Sequence, residues 1–369
     1  MKQEAVLAES REDALQRDSV PSVSRDIRQA NGIFIALIPV MLMAVYYYGG
    51  RVLALCGAAA GTAVLTDFAC RLLQRRENRT PYDLSAANTG VILAMLLPAS
   101  APYWLAAIGA FTAIAVVRYP FGGHSGTLFH PANTAFAFLL ICWTELVTRY
   151  PLPRQTLSYD SDPNVTLYTS PAARLMAGGA ERIDWLDLLM GNFVGPMGCT
   201  SILILFFCGL FLALRGSIYW QIPTAVCGIV TLFAWFFPRV NSSHFSSVTL
   251  ELAAGSLLFS LVFIASADNG EIRTGLGKWI CGVILGGIIV LFRVLSRIEM
   301  VVPFAVIVLN TIDHRCDRYG EMLAGTAKAL ARAAWKFLRK GFAALWRGVR
   351  RLSSFLWDKL SELLQKLVG

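Results

Sequence analysis

Two histidines and three glycines crowd into "RYPFGGHSGTLFHPANTAFAF", residues 118–138. Gly122, Gly123 and Gly126 permit positive φ and let backbone come close to a bound group. Pro131 suits the first turn of a helix. Backbone N–H groups at such a loop-to-helix junction could hold an anion, for example a flavin phosphate. A tight re-entrant turn that only packs accounts for the same residues. His124 and His130 are metal-ligand types, but no third ligand stands at suitable spacing, so no metal is expected.

Three further segments place polar residues beside apolar runs. In "DLSAANTGVILAMLLPASAPYW", residues 83–104, Asp83 precedes a short run that carries Ser85, Asn88 and Thr89. Asp83 reads as a helix cap or as part of an ion path. In "LFSLVFIASADNGEIRTGLGK", residues 258–278, Asp268 closes an apolar run, with Asn269 and Gly270 as turn residues. In "LFRVLSRIEMVVPFAVIVLNTIDHRCDRY", residues 291–319, Glu299 and Asn310 flank another run. A polar group buried in a bundle is costly unless paired or functional, and both readings apply here. The acids available for ion movement are Asp67, Glu145, Glu251, Asp268 and Glu299.

The elements that must position these residues are apolar. Of 369 residues, 56% are hydrophobic and only 15% charged, against roughly a quarter charged in soluble domains. We expect an all-α, polytopic membrane helical bundle of about ten spans with short broken helices, followed by a C-terminal amphipathic helix. A span needs about 20 apolar residues, fewer where it is broken. Candidates lie at 33–50, 52–70, 86–101, 103–118, 131–148, 197–214, 218–237, 248–267, 278–295 and 298–313. The third, fourth and last are short, and Pro98 and Pro102 stop the third. The expected organisation is a polar segment 1–31, a membrane domain 32–319 with an external loop at 149–196, and a basic tail 320–369. The two halves show no convincing sequence repeat. No cleavable secretory leader is visible.

Arg25, Arg28, Arg71, Arg75, Arg76, Arg79, Arg315 and Arg318 flank one set of span ends, which assigns both termini to the cytoplasm. Arg293 and Arg297 fall on the opposite side and conflict with that rule. From Glu321 onward, ten Lys/Arg face three acids. Trp335, Trp346 and Trp357 recur every eleven residues and share a helix face, which suits a lipid surface or a partner subunit rather than nucleic acid. The eight cysteines form no C-x-x-C pair and read as small core residues.

Taken together and in order, the four segments resemble the D subunit of the Rnf electron-transport complex. They are similar also to its relative, the B subunit of the sodium-translocating NADH:quinone reductase. Asp83 to Trp104 follow the pattern D-x-S-A-x-x-T-G-x-x-L-A-x-L-L-P-x-x-A-P-x-W. Phe121, Gly122, Gly123, Gly126, Phe129, His130, Pro131 and Ala132 meet the F-G-G run, with Gly126 one position late. Gly191, Asn192, Gly195, Gly198, Thr200 and Ser201 meet a third stretch; Phe304 to Val306, Asn310 and Asp317 to Tyr319 meet the last.

The resemblance implies a multi-pass subunit of a redox-driven ion pump in the bacterial cytoplasmic membrane. Its partners would be the other subunits of an Rnf-like complex, and it would couple electron flow to Na+ or H+ movement. It implies FMN, held through its phosphate on a hydroxyl in D-x-x-(S/T)-G-A-T-P-L, and a second, non-covalent flavin. The matching stretch is "DSDPNVTLYTSPAARL", residues 160–175. Aligned on Pro171, Ser170 is the acceptor; shifted by one, Thr169 is. Asn164 and Tyr168 replace the acid and the glycine, so the attachment signal is incomplete; a separate departure is Cys199, where the family has glutamate before Thr200. Gly122, Gly123, His130 and Asn133 are the remaining cofactor-contact candidates. A non-redox transporter, or a flavin-free structural subunit on the same scaffold, is the alternative.

Overall fold

The computed structural model describes residues 27–74, 84–121, 128–155, 157–160, 165–176, 185–199, 201–238, 244–253, 255–265, 275–296, 300–312 and 322. The tail after 322, Gly122, Gly123, His124, Asp83, Asp268 and Glu299 lie outside the described residues.

Among those residues every regular element is helical, as the apolar runs require. Three helices are long and apolar enough to cross a bilayer unaided: α1 (Ile27–Tyr48), α2 (Arg51–Leu73) and α13, whose described helix runs Gly275–Ser296. Shorter pieces fill the rest: α3 (Ser85–Leu96), α4 (Tyr103–Phe111, continued as a π-helical turn Thr112–Arg118), α5 (Pro131–Cys142) and α6 (Thr144–Thr148). Then come α7 (Pro171–Met176), α8 (Trp185–Met190), α9 (Ile202–Leu214) and α10 (Gln221–Phe236). The chain closes with α11 (His244–Ala253), α12 (Leu257–Ser260, with a π-helical turn Leu261–Ala265) and α14 (Val302–Asn310). Together these make an integral membrane helical protein.

Helix α3 shows why short pieces are tolerated. It is stopped by Pro98, and Asn88 through Leu96 are all buried. Such a half-length helix sits inside the bundle, where protein rather than lipid surrounds its free backbone ends. Its start packs directly on α2: a Cβ on Gly90 would lie 2.6 Å from Ala59 O and 2.8 Å from Ala60 Cα. The contact is with backbone, which cannot swing aside. Gly90→Ala is therefore expected to destabilise the protein by about 1–3 kcal/mol. Gly57→Ala on α2, which meets nothing within 4 Å, should be neutral. Thermal midpoints of the two variants in detergent test the contrast.

Contacts fix which ends lie together. At one end, Asn88 Nδ2 donates to Ala30 O, Gln29 Nε2 to Ser217 O, Tyr119 Oη to Asp67 Oδ1 and Arg118 Nη2 to Ser85 Oγ. At the other, Tyr48 Oη donates to Gly195 O, and Arg51 binds carbonyls at 99, 101, 158 and 160. The corners expected on one side thus share an end.

A relation between the halves, not detectable in the residues, appears in the direction of the helices. From the Arg51 end, α2 and α4 run away in parallel. In the second half α10 and α13 also run parallel, with Gly282 against Ile222 and Ala225 and Gly286 against Val226 and Ile229, but toward that end. Each half ends in a Pro-initiated half-helix, α5 and α14. These enter from opposite ends, and their first turns touch: Asn133 Nδ2 donates to Pro303 O at 2.9 Å. At 1.5 Å per residue, the 12 residues of α5 and 9 of α14 add to about 30 Å, one hydrocarbon thickness.

Candidate functional site

The described residues of segment 149–170 form a strap. Tyr150 and Tyr168 exchange backbone hydrogen bonds of 2.9 and 2.8 Å, closing the loop at its base. Arg154 adopts left-handed backbone, φ 65°, and donates its N–H to Tyr47 O at 2.8 Å. The strap leads into α7, and the two candidate hydroxyls beside its start have different surroundings. Ser170 is 1% exposed and its Oγ accepts the Ala173 N–H at 3.1 Å, an N-cap contact ahead of Pro171. Thr169 is exposed, and the Arg174 Nε–H donates to its Oγ1 at 3.4 Å. An accessible hydroxyl beside a guanidinium fits a phosphoester, because the cation balances phosphate charge. A buried cap hydroxyl fits poorly.

The other candidates occupy a different place. The Leu128 N–H donates to Phe121 O at 3.2 Å and the two phenyl rings of Phe121 and Phe129 meet edge to face at 5.5 Å, so the ends of the glycine loop are tied. His130 precedes α5, and among the described residues its buried Nδ1 has no hydrogen-bond partner. Asn133 is fully buried; its amide N–H₂ binds Pro303 O, while among the described residues Oδ1 has no partner. His130 and Asn133 share the first-turn face of α5, on the segment entered from the end opposite the strap. The structure therefore separates Thr169 and Ser170 from His130 and Asn133.

The described acids are engaged. Asp67 pairs with Arg71 at 2.7 Å and accepts from Tyr119; Glu145 reaches Arg149 at 3.8 Å on the surface. Glu251 and Arg293, each 3% exposed, form a 2.7 Å ion pair, and Arg293 Nη1 also donates to Glu251 O at 2.8 Å. This pairing removes Arg293's share of the conflict with the positive-inside rule, since Arg293 is neutralised within the bundle rather than displayed at its surface; Arg297 lies outside the described residues. Among the described residues no group of three or more metal-ligand side chains comes together.

A model describing the NQR2, RnfD, RnfE family matches residues 22–322. The chain belongs to this family. Within it, the chain is 27% identical over 320 residues to the D subunit of the ion-translocating oxidoreductase complex of Actinobacillus succinogenes, covering 78% of this chain and 90% of that protein. It is 28% identical over 300 residues to the D subunit of the Na(+)-translocating ferredoxin:NAD(+) oxidoreductase complex of Acetobacterium woodii, covering 80% and 90%. The D subunit of the proton-translocating ferredoxin:NAD(+) oxidoreductase complex of Clostridium ljungdahlii is 25% identical over 295 residues, covering 78% and 88%. The resemblance drawn from the four segments is thereby borne out at the level of the family and of the D-type member.

For this family member, sequence reasoning passed over Arg51, Arg174 and the Glu251–Arg293 partnership. The only signal for Arg51 was a lone cation directly after Gly49-Gly50 between two long apolar runs.

Proposed function

We propose that the chain is the D-type membrane subunit of a redox-driven, ion-translocating oxidoreductase complex. It would carry ten spans in the bacterial cytoplasmic membrane, with both termini cytoplasmic and the strap external. The charge distribution and the clustering of corners by end support that sidedness. It would hold FMN through a phosphoester on Thr169 and work with the other subunits of an Rnf-like complex. The observation that carries the flavin assignment is the exposed Thr169 hydroxyl beside Arg174, on a strap fixed to the bundle.

Flavin would supply one- and two-electron transfer that no protein side chain here provides. The chain's own part is to present a hydroxyl, balance the phosphate with Arg174 and hold the strap against the ends of α1–α4. Gly122, Gly123, His130 and Asn133 are proposed to contact a second, non-covalent flavin, and the basic tail to meet lipid. Curated relatives are named for Na+ and for proton translocation alike, so the coupled ion is one of these two.

The test is a denaturing gel of the purified complex under ultraviolet light, followed by mass analysis of the tryptic peptide containing Thr169. A fluorescent subunit band with an FMN adduct on that peptide is expected. A dark band, with no flavin released by acid, would instead identify a flavin-free structural subunit.

A further inference from the structure

We infer that Arg51 is the positioning residue for the strap, an inference that rests on Thr169 holding the flavin phosphate. Arg51 is wholly buried at the start of α2. Its guanidinium joins two segments far apart in sequence. Nε donates to Ala99 O at 2.8 Å and Nη2 to Ala101 O at 3.1 Å, both in the corner between α3 and α4. Nη1 donates to Ser158 O at 2.7 Å and also to Asp160 O, both on the strap. The ring of Tyr103 lies 5.0 Å from the guanidinium carbon, and its hydroxyl donates to Tyr159 O at 3.0 Å.

These acceptors are created by chain breaks. Pro98 and Pro102 interrupt the helical ladder, so the corner carbonyls need donors from elsewhere. The strap's carbonyls, outside any helix, have the same need. A planar fork with five N–H donors serves both at once; an ammonium, with three donors on a single atom, cannot span them. The neighbouring Gly50 belongs to the same arrangement, because a Cβ there would collide with the Tyr159 hydroxyl. The corner is further tied inward, where Met197 and Gly198 donate backbone N–H groups to Leu97 O and Met95 O at 3.2 and 2.8 Å. Arg51 therefore ties the strap at Ser158 and Asp160 to the broken end of α3, and through that tie it would set where a group on Thr169 is held.

The experiment uses the whole complex in membrane vesicles with the strap side accessible, comparing Arg51→Gln and Arg51→Lys with the unaltered chain. Two readouts apply: the rate of tryptic cleavage after Arg149 and Arg154, and the fluorescence anisotropy of the flavin on Thr169. Arg51→Gln is expected to speed cleavage about tenfold or more, since charge-assisted hydrogen bonds are lost, and to lower the anisotropy. Arg51→Lys should behave like Arg51→Gln, because charge without the fork does not bridge the segments. Unaltered cleavage and anisotropy in Arg51→Gln would overturn the inference, and full rescue by Arg51→Lys would overturn the fork argument. Should neither variant assemble, Ala101→Cys with Ser158→Cys in an otherwise unaltered chain decides it: crosslinking by a short bifunctional maleimide, above the single-cysteine controls, is expected, and none overturns docking. An unaltered chain that lacks flavin sinks the Thr169 reading but leaves the cleavage comparison intact.

Discussion

Replacing Thr169 with valine is expected to abolish the fluorescent subunit band, while replacing Ser170 with alanine should leave it in place. Valine keeps the shape of threonine and removes the oxygen that would form the ester. Thr169 is exposed and its Oγ1 is within reach of Arg174, so an incoming phosphate meets both a nucleophilic oxygen and a cation without rearrangement. Ser170 offers neither: its hydroxyl is 1% exposed and already caps α7. Esterifying it would first require the cap to break. Ser170→Ala should cost about 1 kcal/mol of local stability through that cap and little else. The measurement is in-gel fluorescence normalised to protein stain, with the serine variant as the internal control. A band lost with Ser170→Ala and kept with Thr169→Val would return the acceptor to the proline-aligned register.

Breaking the Glu251–Arg293 pair by a single substitution should destabilise the assembled protein by about 3–5 kcal/mol, because each leaves an uncompensated charge in the bundle. Glu251→Gln strands the guanidinium; Arg293→Met strands the carboxylate. The double variant removes both charges, so its loss should be well below the sum of the two. Thermal unfolding in detergent, read as a double-mutant cycle, measures the coupling. The pair ties the first part of a span bent by 53° to the end of α13, so loosening it should also free that bend. Simple additivity of the two single losses would show that the pair does not act as a unit.

The breaks were legible in the sequence because proline writes them directly. Pro98 stops α3, and Pro131 and Pro303 stand in the first turns of α5 and α14. The all-helical class followed from apolar runs with few charges. Less could be read where long-range contact decides. Asn133 meets Pro303 across 170 residues, and Gln29 meets Ser217 across 188, with no local pattern to announce either. The reversal of helix direction between the halves leaves no trace in residue identity, since lipid-facing apolar side chains interchange freely. Arg293 read only as a flanking cation in conflict with the charge rule, because a count of charges near span ends does not reveal which are buried. The motif narrowed the proposed hydroxyl to two neighbours, but their difference in burial and capping follows from tertiary packing that the motif does not show.

The meeting of α5 and α14 has an electrostatic consequence. Each helix carries about half a positive elementary charge at its N-terminus. Here two such ends arrive from opposite sides and touch at Asn133 and Pro303, deep in the bundle where water does not screen them. A cation travelling along that line would climb toward positive potential from either direction. On these two dipoles alone the junction would disfavour Na+ and H3O+ and tolerate electron-rich groups. A cation path displaced from this axis, along a different face of the subunit or between it and a partner, is therefore expected.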